Sequence, residues 1–126
     1  MPLVRVSLRK GKPDDYKRAI GDGVYKAMRE VFNVPDGDRF VVVPEHSESE
    51  FQFSKTYLDI VRSDDLVIIQ ITANNTRTVE QKQALFAGIA DLLSVNPGLR
   101  KQDVFISVLD VPKENWSFGN GVAQYA

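Results

Sequence analysis

The sequence predicts an α/β (α+β) chain built as a tandem βαβ repeat: a four-stranded sheet with two helices on one face, completed by a C-terminal hairpin or arm. Two observations carry this. A 65-residue offset aligns the chain with itself without a gap, placing Val4 on Ile69, Val6 on Ile71, Ile20 on Leu85, Val24 on Ile89, Asp38 on Asp103 and Phe40 on Phe105. Each copy also reads as a β-branched run, an apolar stripe at helical spacing and a second β-branched run. The chain, 1–126, is expected to be one domain, with repeat units at about 2–43 and 66–109 and an arm at 114–126.

In the first unit, residues 2–8 form the opening strand. Lys10-Gly11-Lys12-Pro13 supplies turn chemistry, and Asp14 or Asp15 is the expected helix cap. Ile20, Val24, Ala27, Met28 and Val31 recur with helical period, and Asn33-Val34-Pro35-Asp36-Gly37 stops the helix. Arg39 to Val43 is the next strand, closed by Pro44. A polar and aromatic excursion, Glu45 to Asp65, follows. In the second unit, Leu66 to Thr72 is a strand and Thr76 or Thr78 the helix cap. Leu85, Phe86, Ile89, Leu92 and Leu93 form the buried stripe, Asn96-Pro97-Gly98 the stop, and Val104 to Leu109 the last strand. Strands joined through a helix run parallel with a right-handed crossover, so both helices cover one face. Gly119-Asn120-Gly121 suggests a turn that folds a final hairpin back over the body. Alternation sends Leu3, Arg5, Leu66, Ile68 and Gln70 to the face without helices, which predicts association that buries it.

Composition narrows the function. Sixteen basic and seventeen acidic residues leave a net charge of −1, which argues against a general nucleic-acid or membrane-surface partner. No apolar run reaches the roughly 18 residues of a membrane span, and the first residues lack signal-peptide character, so a cytoplasmic location is expected. There is no cysteine, and His46 is the single histidine, which points away from metal and thiolate chemistry and predicts no cofactor.

The remaining candidates are few. Pro2 follows Met1, and removal of Met1 frees a secondary amine. An α-amino group has a reference pKa of about 7.7–8.0, and an apolar pocket lowers it, so such an amine can act as a base near neutrality or form an iminium with a carbonyl. The same dipeptide also simply suits the start of a strand. Asp38 and Asp103 occupy equivalent positions ahead of the second strand of each unit, where turn capping is the ordinary role and activation of water the alternative. Arg77, taken to begin the second helix after Ala73-Asn74-Asn75-Thr76, offers a guanidinium beside free backbone N–H groups, a combination suited to a carboxylate. Trp116 and Phe118 can wall an apolar pocket.

The Met-Pro start, the tandem βαβ units, Phe32-Asn33-Val34-Pro35 before Asp38-Arg39-Phe40, the Glu45-His46 pair and Trp116-Ser117-Phe118-Gly119 together resemble the tautomerase superfamily, and most closely its malonate semialdehyde decarboxylase-like branch. The resemblance implies that Pro2 is the catalytic group and that Asp38 works beside it. It further implies that Trp116 and Phe118 line the pocket and that the chain forms a homotrimer. Where that branch carries two closely spaced arginines, this chain has Asn74, Asn75 and Thr76 with Arg77 alone. The expectation is therefore a tautomerase acting on a small 2-oxo acid or its enol, with catalytic Pro2, Asp38 and Arg77 and substrate-binding Asn74, Trp116 and Phe118. The alternatives are a decarboxylase or hydratase of a 3-oxo acid, and a non-catalytic trimeric module.

Overall fold

A computed structural model describes residues 2–126, and the fate of Met1 lies outside the described residues. Strand β1 (Leu3–Arg9) is followed by helix α1 (Asp14–Val31), the short strands β2 (Val41–Val42) and β3 (Glu45–His46), strand β4 (Val67–Asn74), helix α2 (Val79–Val95) and strand β5 (Val104–Val111). The sheet order is β2-β1-β4-β5. Within each unit the strands are parallel, and the units meet through the antiparallel pair β1–β4, in register Val4 opposite Ile71 and Val6 opposite Ile69.

The residues that the repeat aligns form the core. Val4, Val6, Ile69 and Ile71 point from the two central strands toward the helices, where Ile20 and Val24 of α1 meet Leu85, Ile89 and Leu93 of α2; all are fully buried. Each such side chain contributes about 1.5–3 kcal/mol by leaving water. Gly23 lets the helices approach closely, since a Cβ there would stand 2.8 Å from Leu93 Cδ2.

Several local expectations change. The second strand does not end at Pro44. It resumes as β3 and pairs with the far end of β1, Leu8 opposite Glu45 and Arg9 opposite His46. Proline has no N–H for the ladder, so the strand is interrupted there, while the Pro44 carbonyl still accepts from Leu8 N at 3.5 Å. Pro13, not Asp14 or Asp15, occupies the N-cap position of α1, with no side-chain cap, and both aspartates lie in the first turn, where negative charge favours the helix dipole. Arg77 does not begin α2. Thr78 caps that helix in a reciprocal box with Gln81, which consumes N–H groups expected to face a ligand. No final hairpin forms: among the described residues no strand follows β5. The end of the chain instead closes on itself, Phe118 N donating to Gln124 Oε1 at 2.9 Å and Gln124 Nε2 to the Gly119 carbonyl at 3.0 Å.

The excursion after β3 has a packing role. Phe53, Tyr57 and Arg62 share a cavity with Leu66, Ile68 and Phe105, so the excursion covers one end of the helix-free face and buries Leu66. Arg5, Gln70, Phe105 and Leu109 of that face remain exposed.

Candidate active site

Pro2 is buried immediately before β1. The first residues of β1 lie beside the approach to β2, where Val4 N donates to the Phe40 carbonyl at 3.0 Å. The C-terminal arm closes the other side. Pro2, Leu3, Phe40, Trp116, Ser117 and Phe118 line a cavity of about 220 Å³, with Ser117 as its one hydroxyl. The Trp116 and Phe118 rings are stacked, centroids 5.4 Å apart, and Tyr125 meets Phe118 edge-on at 4.9 Å. This is space for a molecule of a few heavy atoms against Pro2 and the aromatic rings.

Trp116 is held from outside the cavity. Its indole N–H donates to Asn74 Oδ1 at 2.8 Å, and Asn74, at the end of β4, is buried. Asn74 therefore reaches the cavity through Trp116 and is not among its lining residues.

Arg77, in the turn between β4 and α2, is half-buried. It lies over the Phe32 ring, 4.9 Å from the centroid, and donates from Nη2 to the Phe32 carbonyl at 2.9 Å. Burial pulls its guanidinium below the ordinary arginine value, while Asp110, Asp38 and Tyr125 act in the opposite direction. Arginine stays charged at any physiological pH, so this records a partly desolvated cation facing carboxylates.

Asp38 and Asp103 were equivalent in the sequence and are not equivalent in space. Asp103 is buried and saturated: Oδ1 accepts from Ser63 N at 2.7 Å and Oδ2 from Ser63 Oγ at 2.6 Å, tying the excursion to the start of β5. Asp38 is half-buried, and its Oδ1 has no hydrogen-bond partner among the described residues although it is shielded from solvent. A carboxylate oxygen in that state is costly and needs a reason. His46 stacks on Phe51, 5.8 Å between centroids, and no cluster of metal-binding side chains occurs among the described residues.

Pro2, Trp116 and Phe118 are thus brought together directly and Asn74 through Trp116, while Asp38 and Arg77, within electrostatic reach of each other, are not among the residues lining the cavity. Sequence reading missed Leu3, Phe40, Ser117, Tyr125 and Asp110. Phe40 had a usable signal, two residues beyond Asp38 in a strand beside β1. Tyr125 had none, since only the folding back of the arm gives it neighbours.

Two tautomerase-enzyme family models match, one over residues 38–119 and the other over residues 2–58. The chain belongs to the tautomerase family. It is 40% identical over 124 residues to the probable tautomerase YusQ of Bacillus subtilis (strain 168), covering 98% of each chain. It superposes with a TM-score of 0.90 on a malonate semialdehyde decarboxylase inhibited by 3-bromopropiolate, at 36% identity over 98% of this chain and 93% of that one. A second malonate semialdehyde decarboxylase, whose structures address decarboxylase and hydratase activities, gives 0.91 at 28% identity over 98% and 95%. The fold alone is shared with a fused 4-OT solved as a symmetric trimer, at 20% identity over 98% and 97% with a TM-score of 0.79.

Proposed function

We propose that this tautomerase-family enzyme interconverts the enol and keto forms of a small 2-oxo acid, with the Pro2 amine as the base and acid. The observation that carries this reading is the burial of Pro2 in a small aromatic-walled cavity at the start of β1. An apolar lining favours the neutral amine, which is the form that accepts a proton. Pro2 nitrogen takes the proton of the enol hydroxyl, the oxygen forms its carbonyl, and the carbon–carbon double bond takes a proton at C3 from the resulting ammonium. The step is redox-neutral and regenerates the amine. Arg77 supplies positive charge for the substrate carboxylate with the guanidinium nitrogens not used on Phe32. Trp116 and Phe118 exclude water. No cofactor is required, and three copies form the working assembly through the helix-free face.

A second reading is favoured by the unpartnered Asp38 oxygen and by the likeness to two malonate semialdehyde decarboxylases. Protonated Pro2 polarises the carbonyl of a 3-oxo acid, the bond to the carboxylate breaks, its electron pair enters the enolate as carbon dioxide leaves, and the enolate carbon takes a proton from the Pro2 ammonium, which solvent then reprotonates. Asp38 positions the amine or activates a water molecule for hydration.

The test compares protein freed of Met1, verified by intact mass, with protein retaining it, each given 2-hydroxy-2-enoates and 3-oxo acids. Retained Met1 makes the Pro2 nitrogen an amide, which cannot act as a base. Turnover confined to processed protein supports the proline mechanism, and equal turnover by both forms contradicts it. The preferred substrate class separates the two readings.

A further inference from the structure

Among the described residues Asp38 has no side-chain hydrogen-bond partner to fix its buried oxygen, so its placement depends on its backbone, and that backbone is held by a residue on another element. Asp38 N donates to the Pro35 carbonyl at 3.1 Å, closing a turn in which Gly37 takes a φ of 84°. That value is the one a type II turn requires at its third residue, and glycine adopts it without strain. The turn is gripped from α1. Gly37 N donates to the Tyr25 hydroxyl at 2.8 Å, and that hydroxyl lies 3.3 Å from Asp36 Oδ1, to which it donates. The Tyr25 ring lies within cation–π range of Arg39 at 5.2 Å and Arg29 at 5.9 Å. Arg39 is in turn paired with Asp22 at 2.7 Å, and Arg29 with Asp36 at 3.5 Å. The other end of the same loop is the Phe32 carbonyl held by Arg77.

We infer that Tyr25 is a positioning residue for Asp38: its hydroxyl fixes the Asp36-Gly37 turn and thereby the carboxylate that the proposed chemistry uses. This rests on the functional reading above. Tyr25 and Asp38 both lie outside the set of residues lining the cavity, so loss of the Tyr25 hydroxyl should leave the cavity walls and substrate binding nearly unchanged, and the coupling to Asp38 is read from a double-mutant cycle.

Tyr25→Phe removes one oxygen and keeps the ring, so the test is a double-mutant cycle with Asp38→Asn on processed protein. Expected for Tyr25→Phe, which loses the hydrogen bonds to Gly37 N and Asp36, is a kcat for the 3-oxo acid about tenfold lower with KM within about twofold. In the Asp38→Asn background the same substitution should have no further effect. Equal losses in both backgrounds, or an unchanged kcat, would overturn the inference. Backbone NMR order parameters at Gly37 and Asp38 provide a readout independent of turnover. They should fall from the rigid value of about 0.85 toward 0.6 in Tyr25→Phe, and unchanged values also overturn the inference. If processed wild type turns over neither substrate class, the functional reading fails, while the order parameters still decide whether Tyr25 holds the Asp38 turn.

Discussion

The contrast between Asp38 and Asp103 is where this molecule departs from its own internal symmetry. Both precede the closing strand of a βαβ unit, yet one carboxylate is consumed by Ser63 and the other keeps a shielded oxygen without a partner among the described residues. Asp103→Ala should cost about 2–3 kcal/mol in chemical denaturation, because it strips a buried N–H and hydroxyl of their charged acceptor. Asp38→Asn should leave stability within about 1 kcal/mol and act on turnover, since it removes charge where no partner is lost. If the two substitutions cost equal stability, Asp38 is structural as well. Arg77 is expected to act on binding. Arg77→Ala should raise KM for carboxylate substrates at least tenfold, with some loss of stability because the Phe32 carbonyl loses its donor.

The elements were legible to the extent that local chemistry decides them. Val4, Ile20, Ile69 and Leu85 occupy aligned positions because burial on the helix face demands apolar side chains at those spacings, so the repeat and the core could be read directly. The interrupted second strand could not, because Pro44 closes a strand locally and only the length of β1 opposite lets pairing resume at Glu45. The arm failed as a hairpin for a related reason: Gly119-Asn120-Gly121 specifies a turn, but Gln124 and the ring contacts of Tyr125, not strand pairing, decide what the turn returns to. Pro2, Trp116 and Phe118 were nameable as candidates, whereas their convergence on one cavity needed the arm's path. Lys12 on the loop before α1 pairs with Asp65 at 2.6 Å and so ties the excursion's end to the first unit. The hydrogen bond to Asp65 holds the Lys12 ammonium above the ordinary lysine value, with burial opposing it. A raised folded value means that the pair's contribution is complete below the ordinary lysine pKa and is lost as pH rises through the folded one. Protection factors of amides around Asp65 should therefore hold constant through neutral pH in wild type and fall in Lys12→Met, by a factor of a few for a surface pair.

At the level of the whole molecule, one face of the sheet carries both helices and the other is only partly covered by the excursion. Phe105 at 44% and Leu109 at 61% exposure leave apolar surface on a chain whose net charge is −1 and offers little repulsion between copies. The homotrimer proposed above predicts a light-scattering mass three times the 14.2 kDa chain, and Leu109→Glu should reduce it. A mass near that of one chain for the wild type would contradict the assembly. With no cysteine and one histidine, already stacked on Phe51, the proposed reagent is the amine of processed Pro2, which lies with Trp116 and Phe118 of the C-terminal arm on one aromatic cavity. The direct test is the rate of enol-to-keto conversion of a 2-hydroxy-2-enoate by processed wild type and by Pro2→Ala. For the Pro2 mechanism the expected result is a loss of about 10²-fold or more in kcat/KM with the fold intact, because the substitution keeps a terminal amine but exchanges the ring-held secondary amine for a freely rotating primary one. Equal rates would contradict it.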